Sequence, residues 1–403
     1  MKLAIITAYP PSKITLNEYA YHLVKQFRQK ELITELILLT DVTEGSKKLD
    51  FVAQGCKITV KECWSFNSYG NILSVIKAIK ETGPNSILFN LQFMKFGDKK
   101  IPAAMGLLLP LICKIKRIPT IVLLHNILEE VDLKKAGFTS NKLMQNMYLF
   151  IGSILTRLIL QADVVVVTMR KYVGVLEKKY KAKNVMAIPH GTFEVLKKPT
   201  FNVPKGALKI MTFGKFGTYK KVELLIEAVQ IARKTTKMDL EIVIAGTNHP
   251  NAPMYLETVK KRFNYVPKLT FTGYVEEDEI PRLFKQSAVV VFPYTSTTGS
   301  SGVLHQAGAY GKAVIMPDLG DLALLVKEEG YRAEFFEPTS SASLATSIET
   351  IVTNEAYRIA LGLANYQAAS AYPMSMVTDI YLDTFLDIAN ETSVENSCNY
   401  QVH

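Results

Sequence analysis

Short runs of Val, Ile and Leu return at intervals along the whole chain, each followed by a segment of helical period. In the first half these runs are KLAIITA (2–8), ELILLT (35–40), SILFN (86–90), TIVLLH (120–125), DVVVVT (163–168) and VMAIP (185–189). Between them lie amphipathic stretches such as LNEYAYHLVKQFRQK (16–30) and NILSVIKAIKET (71–82). Runs that are apolar throughout, and not alternating, belong to strands buried on both faces, and intervening helices make those strands parallel. The rhythm breaks at FEVLKKPTFNVPKG (193–206), which reads as a linker. It resumes with LKIMTFG (208–214), LEIVIAG (240–246), KLTFTGY (268–274), AVVVFPY (288–294) and KAVIMPD (312–318). The pattern predicts an α/β protein of two Rossmann-like domains, 1–195 and 205–370, facing across a cleft. Ligands of such domains bind at the carboxyl ends of the strands.

Composition narrows the class. A chain of 403 residues suits two domains, and 48% hydrophobic with 21% charged residues describes an ordinary globular protein. The net charge of +10 points to nucleic acid, an acidic ligand or an anionic membrane face. Cys56, Cys63, Cys113 and Cys398 lack metal-type spacing, which implies a reducing compartment and no structural zinc. The opening MKLAIITAYPPSK reads as a first strand and lacks the marks of a signal peptide. IPAAMGLLLPLIC (101–113) and MYLFIGSILTRLIL (147–160) are too short or too interrupted by charge to span a bilayer. The expectation is a cytoplasmic chain, soluble or peripheral on the inner face of the membrane.

The segment TSTTGSSGVLHQAGAYGKAVI (295–315) crowds hydroxyls and glycines ahead of a small-residue helix pattern. Such a loop can aim backbone N–H groups and the positive end of a helix dipole at an anion. A capped helix following a turn is the plainer reading.

Taken in order, FGKFGTYKKVELLIEAV (213–229), IVIAG (242–246), LTFTGYVEEDEIPRLFKQSAVVVFPY (269–294) and GVLHQAGAYGKAVI (302–315) resemble the family 4 glycosyltransferases. That family comprises retaining enzymes of the two-domain GT-B fold, which take a sugar from a nucleotide-sugar. The resemblance is close from Leu208 to Glu337. It is looser in the first domain, through YPPSKITLNEYAYHL (9–23), LLHN (123–126) and IPHG (188–191).

The resemblance implies roles for particular residues. Lys215 and Lys220 fall where the family keeps two cations that neutralise charge on the departing β-phosphate. Lys215 stands in place of the more usual Arg, a point charge instead of a fork. Lys221 beside them reads as a solvated surface lysine. His125, in LLHN with Asn126 and Glu129 following, falls where the family contacts the donor sugar; alone it reads as a structural histidine. Thr15, with Ser12, Lys13 and Ile14, occupies a loop that is glycine-rich in relatives; with Glu18 it also reads as a capping box.

The family's two glutamates, eight positions apart, fall on Thr298 and Gln306, so both acids are absent. Gln306 can hydrogen-bond a ribose as a neutral group, and Thr298 is left at the sugar end. Ser300, Ser301 and Gly302 would present N–H groups to the diphosphate.

The implied reaction moves a hexose-type sugar to a saccharide or lipid-linked acceptor in surface polysaccharide or glycolipid synthesis. It uses no metal or other cofactor, since no Asp-x-Asp-like pair ends a strand, and no nucleic-acid partner. The alternatives are a nucleotide-sugar 2-epimerase, whose acids would be Glu129 and Asp321, and a non-catalytic nucleotide-sugar-binding subunit. GLLLPLICKIKR (106–117) and the basic 157–183 region read either as core helix with solvated lysines or as a face for an anionic membrane surface. The segment 374–390 is expected to be a helix crossing back to the first domain, with Met376, Ile380, Tyr381, Phe385 and Ile388 on its covered face.

Overall fold

In a computed structural model, each of the apolar runs named above becomes a parallel strand. The structure describes residues 1–47, 49, 55–130, 141–197, 199, 201–297 and 299–400, with side chains described to residue 391. The chain divides into two compact units. The first comprises Met1–Glu130, Lys142–His190 and the segment from Met374 onward; the second contains Gly191–Pro373.

The first unit holds strands β1 (Lys2–Thr7), β2 (Glu35–Asp41), β3 (Lys57–Trp64), β4 (Ser86–Leu91), β5 (Thr120–Leu124), β6 (Val164–Val167) and β7 (Val185–Ala187), in the order β3-β2-β1-β4-β5-β6-β7. The second holds β8 (Leu208–Phe216), β9 (Leu240–Asn248), β10 (Leu269–Gly273), β11 (Ser287–Val291), β12 (Ala313–Pro317) and β13 (Glu334–Phe336), in the order β10-β9-β8-β11-β12-β13. Both are wound alike: the order steps outward from the first strand, then returns to its other side. The reversal falls between β1 and β4, and between β8 and β11, and there an open α/β sheet leaves its ligand crevice at the carboxyl ends.

Two strands escaped the sequence pattern, and both are edges. β3 mixes exposed Lys57, Lys61 and Glu62 with half-buried Ile58 and Val60, and β13 is only three residues long. The central strands are legible because helices cover both faces. In the second unit Ile210, Ile242, Ile244, Val289 and Ile315 are buried in one cluster with Val222, Leu225, Ile226 and Val229 of helix Val222–Thr236. Burial of each such side chain stabilises the unit by about 1.5–3 kcal/mol.

The helix Met374–Tyr400 belongs to the first unit and packs on helix Asn17–Phe27. Tyr381 lies 6.2 Å from Phe27, and Lys30 pairs with Asp379 at 2.6 Å. The covered face is Met374, Val377, Tyr381, Leu382, Phe385 and Ile388; Met376 points to solvent, against expectation, because the helix begins two residues before it and Met374 takes the inward position.

At the carboxyl end of the second sheet, Gly214 (φ 141°) and Gly246 (φ 134°) face each other across the β8–β9 pairing. A Cβ on Gly246 would come 1.9 Å from the Gly214 carbonyl oxygen, so the two strands close here only because Gly246 lacks a side chain.

Candidate functional site

The carboxyl edge of the second sheet is built from two strand ends that are tied together. β8 extends to Phe216, so Lys215 lies within the strand, beside Thr247 of β9, with its side chain exposed. The turn that follows is closed by Gly217 N–H to the Lys220 carbonyl at 3.1 Å, and the Tyr219 carbonyl accepts from Thr295 N–H at 2.8 Å. Lys220 also bridges to Tyr294, just past β11. These bonds hold the Lys220 ammonium 4.7 Å from the centre of the Tyr294 ring, against Gly214, where an added Cβ would meet it at 2.9 Å. Lys221 turns away and donates to the Gly217 carbonyl at 2.9 Å.

A third basic group joins them that sequence reasoning missed. His249 follows β9 directly, and its N–H donates to the Phe216 carbonyl at 2.7 Å. Its Nδ1 accepts from Asn251 N–H at 3.1 Å, which leaves the proton of the neutral ring on Nε2. Partial burial, and then the charges of Lys215 and Lys220, hold its pKa below the ordinary histidine range. The ring is therefore a neutral donor among cations. Its one sequence signal is its place at a strand end, in IAGTNHPN.

Among the described residues neither lysine of this edge has an ion-pair partner. The ion pairs of the second unit among the described residues join Arg262 to Glu227, Lys268 to Asp239, Arg282 to Glu279, His305 to Glu329 and Arg358 to Glu355. None includes Lys215 or Lys220.

On the other side of the switch point stands helix Gly302–Ala309. Ser301 precedes it in extended conformation without capping through its side chain, and the first amides, those of Gly302 and Val303, lack intrahelical acceptors. Ser300 behaves differently from a free donor: its Oγ lies 3.0 Å from His305 Nε2, whose Nδ1 lies 2.8 Å from the Tyr331 hydroxyl and 3.6 Å from Glu329. Burial, and then Glu328, push the Glu329 carboxyl up to about 8. Gly299 N–H donates to Asp321 at 3.0 Å. Gln306 is half-buried on the helix, and Thr298 lies outside the described residues.

The first unit's carboxyl edge is closed on itself. His125 follows β5, and its Nε2 lies 2.7 Å from Asn90 Oδ1. Asn90 in turn donates through Nδ2 to Thr7 Oγ1 at 3.0 Å, so Oδ1 is the acceptor and Nε2–H the donor. The Tyr19 ring stands edge-on to His125 at 4.6 Å. Burial above all, with His190 and Lys95 adding to it, holds the His125 pKa well below its usual value, so the ring is neutral.

Lys95, also missed in the sequence, is buried and donates to the Thr15 carbonyl at 2.9 Å. Burial brings its pKa down to about 7, against the opposing pull of Asp41. The Thr15 side chain is exposed, and Leu16 (φ 72°) starts the helix without a side-chain cap. The capping box read at Thr15 and Glu18 is therefore not formed, since that left-handed residue redirects the chain.

The two acids of the epimerase alternative are both in structural use. Glu129 accepts from the Tyr180 hydroxyl and pairs with Lys179 at 3.3 Å, and Asp321 holds Gly299. Among the described residues no cluster of three or more His, Cys, Asp or Glu could hold a metal ion.

Residues 207–354 match the family described as Glycosyl transferases group 1. This segment is similar to a glycosyl transferases group 1 domain. The matched segment contains Lys215, Lys220, His249 and the helix start at Gly302. Over 150 residues the chain is 26% identical to an uncharacterised glycosyltransferase of Methanocaldococcus jannaschii, a match that spans 37% of this chain and 37% of that relative. Among solved structures, sucrose-phosphate synthase of Thermosynechococcus elongatus superposes with a TM-score of 0.71 at 15% identity, over 97% of this chain and 100% of its own. Anabaena HepE in complex with UDP-glucose gives 0.67 at 14% identity, over 98% and 100%. At these identities the likeness establishes the fold, that of the GT-B glycosyltransferases.

Proposed function

We propose that the chain is a retaining glycosyltransferase whose second unit binds the diphosphate of a nucleotide-sugar. The observation that carries this reading is the convergence of Lys215, Lys220 and the neutral donor His249 at the switch point, with no carboxylate among the described residues paired to either lysine. An edge so built favours an anion, and the leaving group of sugar transfer is a dianionic or trianionic diphosphate. The group 1 match and the UDP-glucose complex of HepE support a uridine nucleotide as the first donor to try.

In the proposed step the bond from the anomeric carbon to the β-phosphate oxygen breaks, and its electron pair stays with the phosphate. Lys215 and Lys220 neutralise that charge as it develops, and His249 donates a hydrogen bond through Nε2. The acceptor hydroxyl bonds the anomeric carbon from the same face, and its proton passes to the departing phosphate. The first amides of helix Gly302–Ala309 receive the diphosphate, Gln306 the ribose, and Thr298 the sugar. No step calls for a metal. The acceptor is a saccharide or a lipid-linked saccharide of surface polysaccharide or glycolipid synthesis, and the transferred group a hexose.

Thr298 and Gln306, where the resemblance has two acids, favour one second reading: a subunit that binds the nucleotide-sugar without transferring it. A thermal-shift panel of uridine, guanosine and adenosine diphosphates and their sugars, followed by sugar release with and without saccharide acceptors, separates the two. A ligand at a hundred times its Kd stabilises by about 2.7 kcal/mol. Stabilisation by no nucleotide would overturn both; binding without acceptor-dependent release would leave the second.

A further inference from the structure

Helix Lys142–Ile159 buries few of its side chains and exposes several large apolar ones. Gly152, Thr156 and Ile159 face the first unit, and Gly152 packs so closely on Leu128 that a Cβ would fall 1.8 Å from its Cδ2. Met147, Phe150, Ile151 and Ile154 are exposed, Phe150 to 66%. Their spacing puts them in one stripe along the outer face. The neighbouring helix Leu109–Ile115 adds Ile115, 72% exposed, while its Leu109 and Cys113 are buried. The apolar part of the face read at 106–117 is thus mostly core, and the exposed apolar surface lies on 142–159.

Basic residues border the stripe. Lys142 and Arg157 stand near its two ends, and Lys116 and Arg117 follow Ile115; all four are exposed. No helix among the described residues is long and apolar enough to cross a membrane. A helix with a broad apolar face and cationic flanks, too short to span, matches the chemistry of one that lies in a lipid–water interface. A second copy of the chain fits poorly: a two-fold contact through this face would set its lysines and arginines against their own images.

We propose that this face docks on an anionic lipid surface, with Met147, Phe150, Ile151, Ile154 and Ile115 at the acyl-chain boundary and Lys116, Arg117, Lys142 and Arg157 at headgroup phosphates. The inference stands on this face alone, independent of the sugar-transfer reading.

The test is flotation of the full chain with vesicles of phosphatidylcholine alone or mixed with phosphatidylglycerol, at low and high salt. Binding is expected to require phosphatidylglycerol and to weaken with salt. The double variant Phe150→Ser with Ile154→Ser should weaken it more than about tenfold, and Lys116→Gln by about fivefold. Both variants should melt with the parent, since the replaced side chains are exposed. Equal flotation of parent and double variant, or none with either vesicle, overturns the proposal. So does a dimer in light scattering that the same double variant dissociates, for then the face belongs to a second copy.

Discussion

The carboxyl edges of the two sheets occupy the same place in the same winding and are built on opposite electrostatic plans. In the first unit a chain of polar groups is engaged internally. Lys95 donates to the Thr15 carbonyl, His125 to Asn90 and Asn90 to Thr7, and burial keeps the ring neutral and weakens the ammonium. In the second, Lys220 is held over an aromatic ring, Lys215 is open to water, and neither has an acid partner among the described residues. The shared topology sets where a ligand can sit; the loop residues decide which edge calls for an external charge. The first edge spends its lysine and histidine on internal hydrogen bonds, whereas the second presents its lysines to an external charge.

The largest effect expected from this contrast is kinetic. Lys215→Ala and Lys220→Ala should each lower kcat by about 10²–10³, equivalent to about 2–4 kcal/mol of transition-state stabilisation, with little change in melting temperature. Near-normal turnover in both purified variants would erase the distinction between the edges. Gly246→Ala tests the frame instead of the charges. Its Cβ collides with the Gly214 carbonyl, so it should destabilise the protein by about 3 kcal/mol or more in urea unfolding. Unchanged stability would show that β8 and β9 part easily at that point.

A smaller effect is expected at His249. Removing a neutral donor by His249→Ala should weaken nucleoside diphosphate binding by about tenfold, with most of the affinity recovered in His249→Gln if that side chain reaches the same oxygens. Equal affinity for parent and alanine variant, measured by calorimetry, would detach His249 from the site.

The smallest effect belongs to the first edge and concerns pH. A histidine whose folded pKa lies below its unfolded value of about 6.5 leaves the unfolded chain with more bound protons. Stability should therefore fall as pH drops below about 6.5 and continue to fall toward the folded pKa. His125→Asn should flatten that slope in melting curves between pH 7.5 and 5.5. A parent slope of the opposite sign, or one unchanged in the variant, would contradict a buried neutral His125.

How far the sequence could be read follows from what is local. Strands such as Ser86–Leu91 and Ala313–Pro317 are buried on both faces and announce themselves as unbroken apolar runs. β3 is half exposed at an edge, and its KITVKECW mixes with the polar background. Lys215 and Lys220 could be singled out because they follow one strand-end glycine within a single motif. His249 could not, because it reaches Phe216 only through the register of β8 against β9, a pairing no local spacing encodes. Lys95 meets Thr15 across the β1–β4 switch point for the same reason. The contact of the Ser300 hydroxyl with His305 is equally hidden in the sequence, since it depends on Tyr331 from a distant turn.

The central claim is that the second edge binds the diphosphate through two unpaired lysines. Calorimetric titration of uridine diphosphate into the parent and into Lys215→Ala, Lys220→Ala and the double variant tests it most directly. The account predicts saturable one-to-one binding to the parent, weakened at least about tenfold in each single variant and further in the double. Binding of equal strength in the parent and the double variant would place the diphosphate elsewhere and contradict the account.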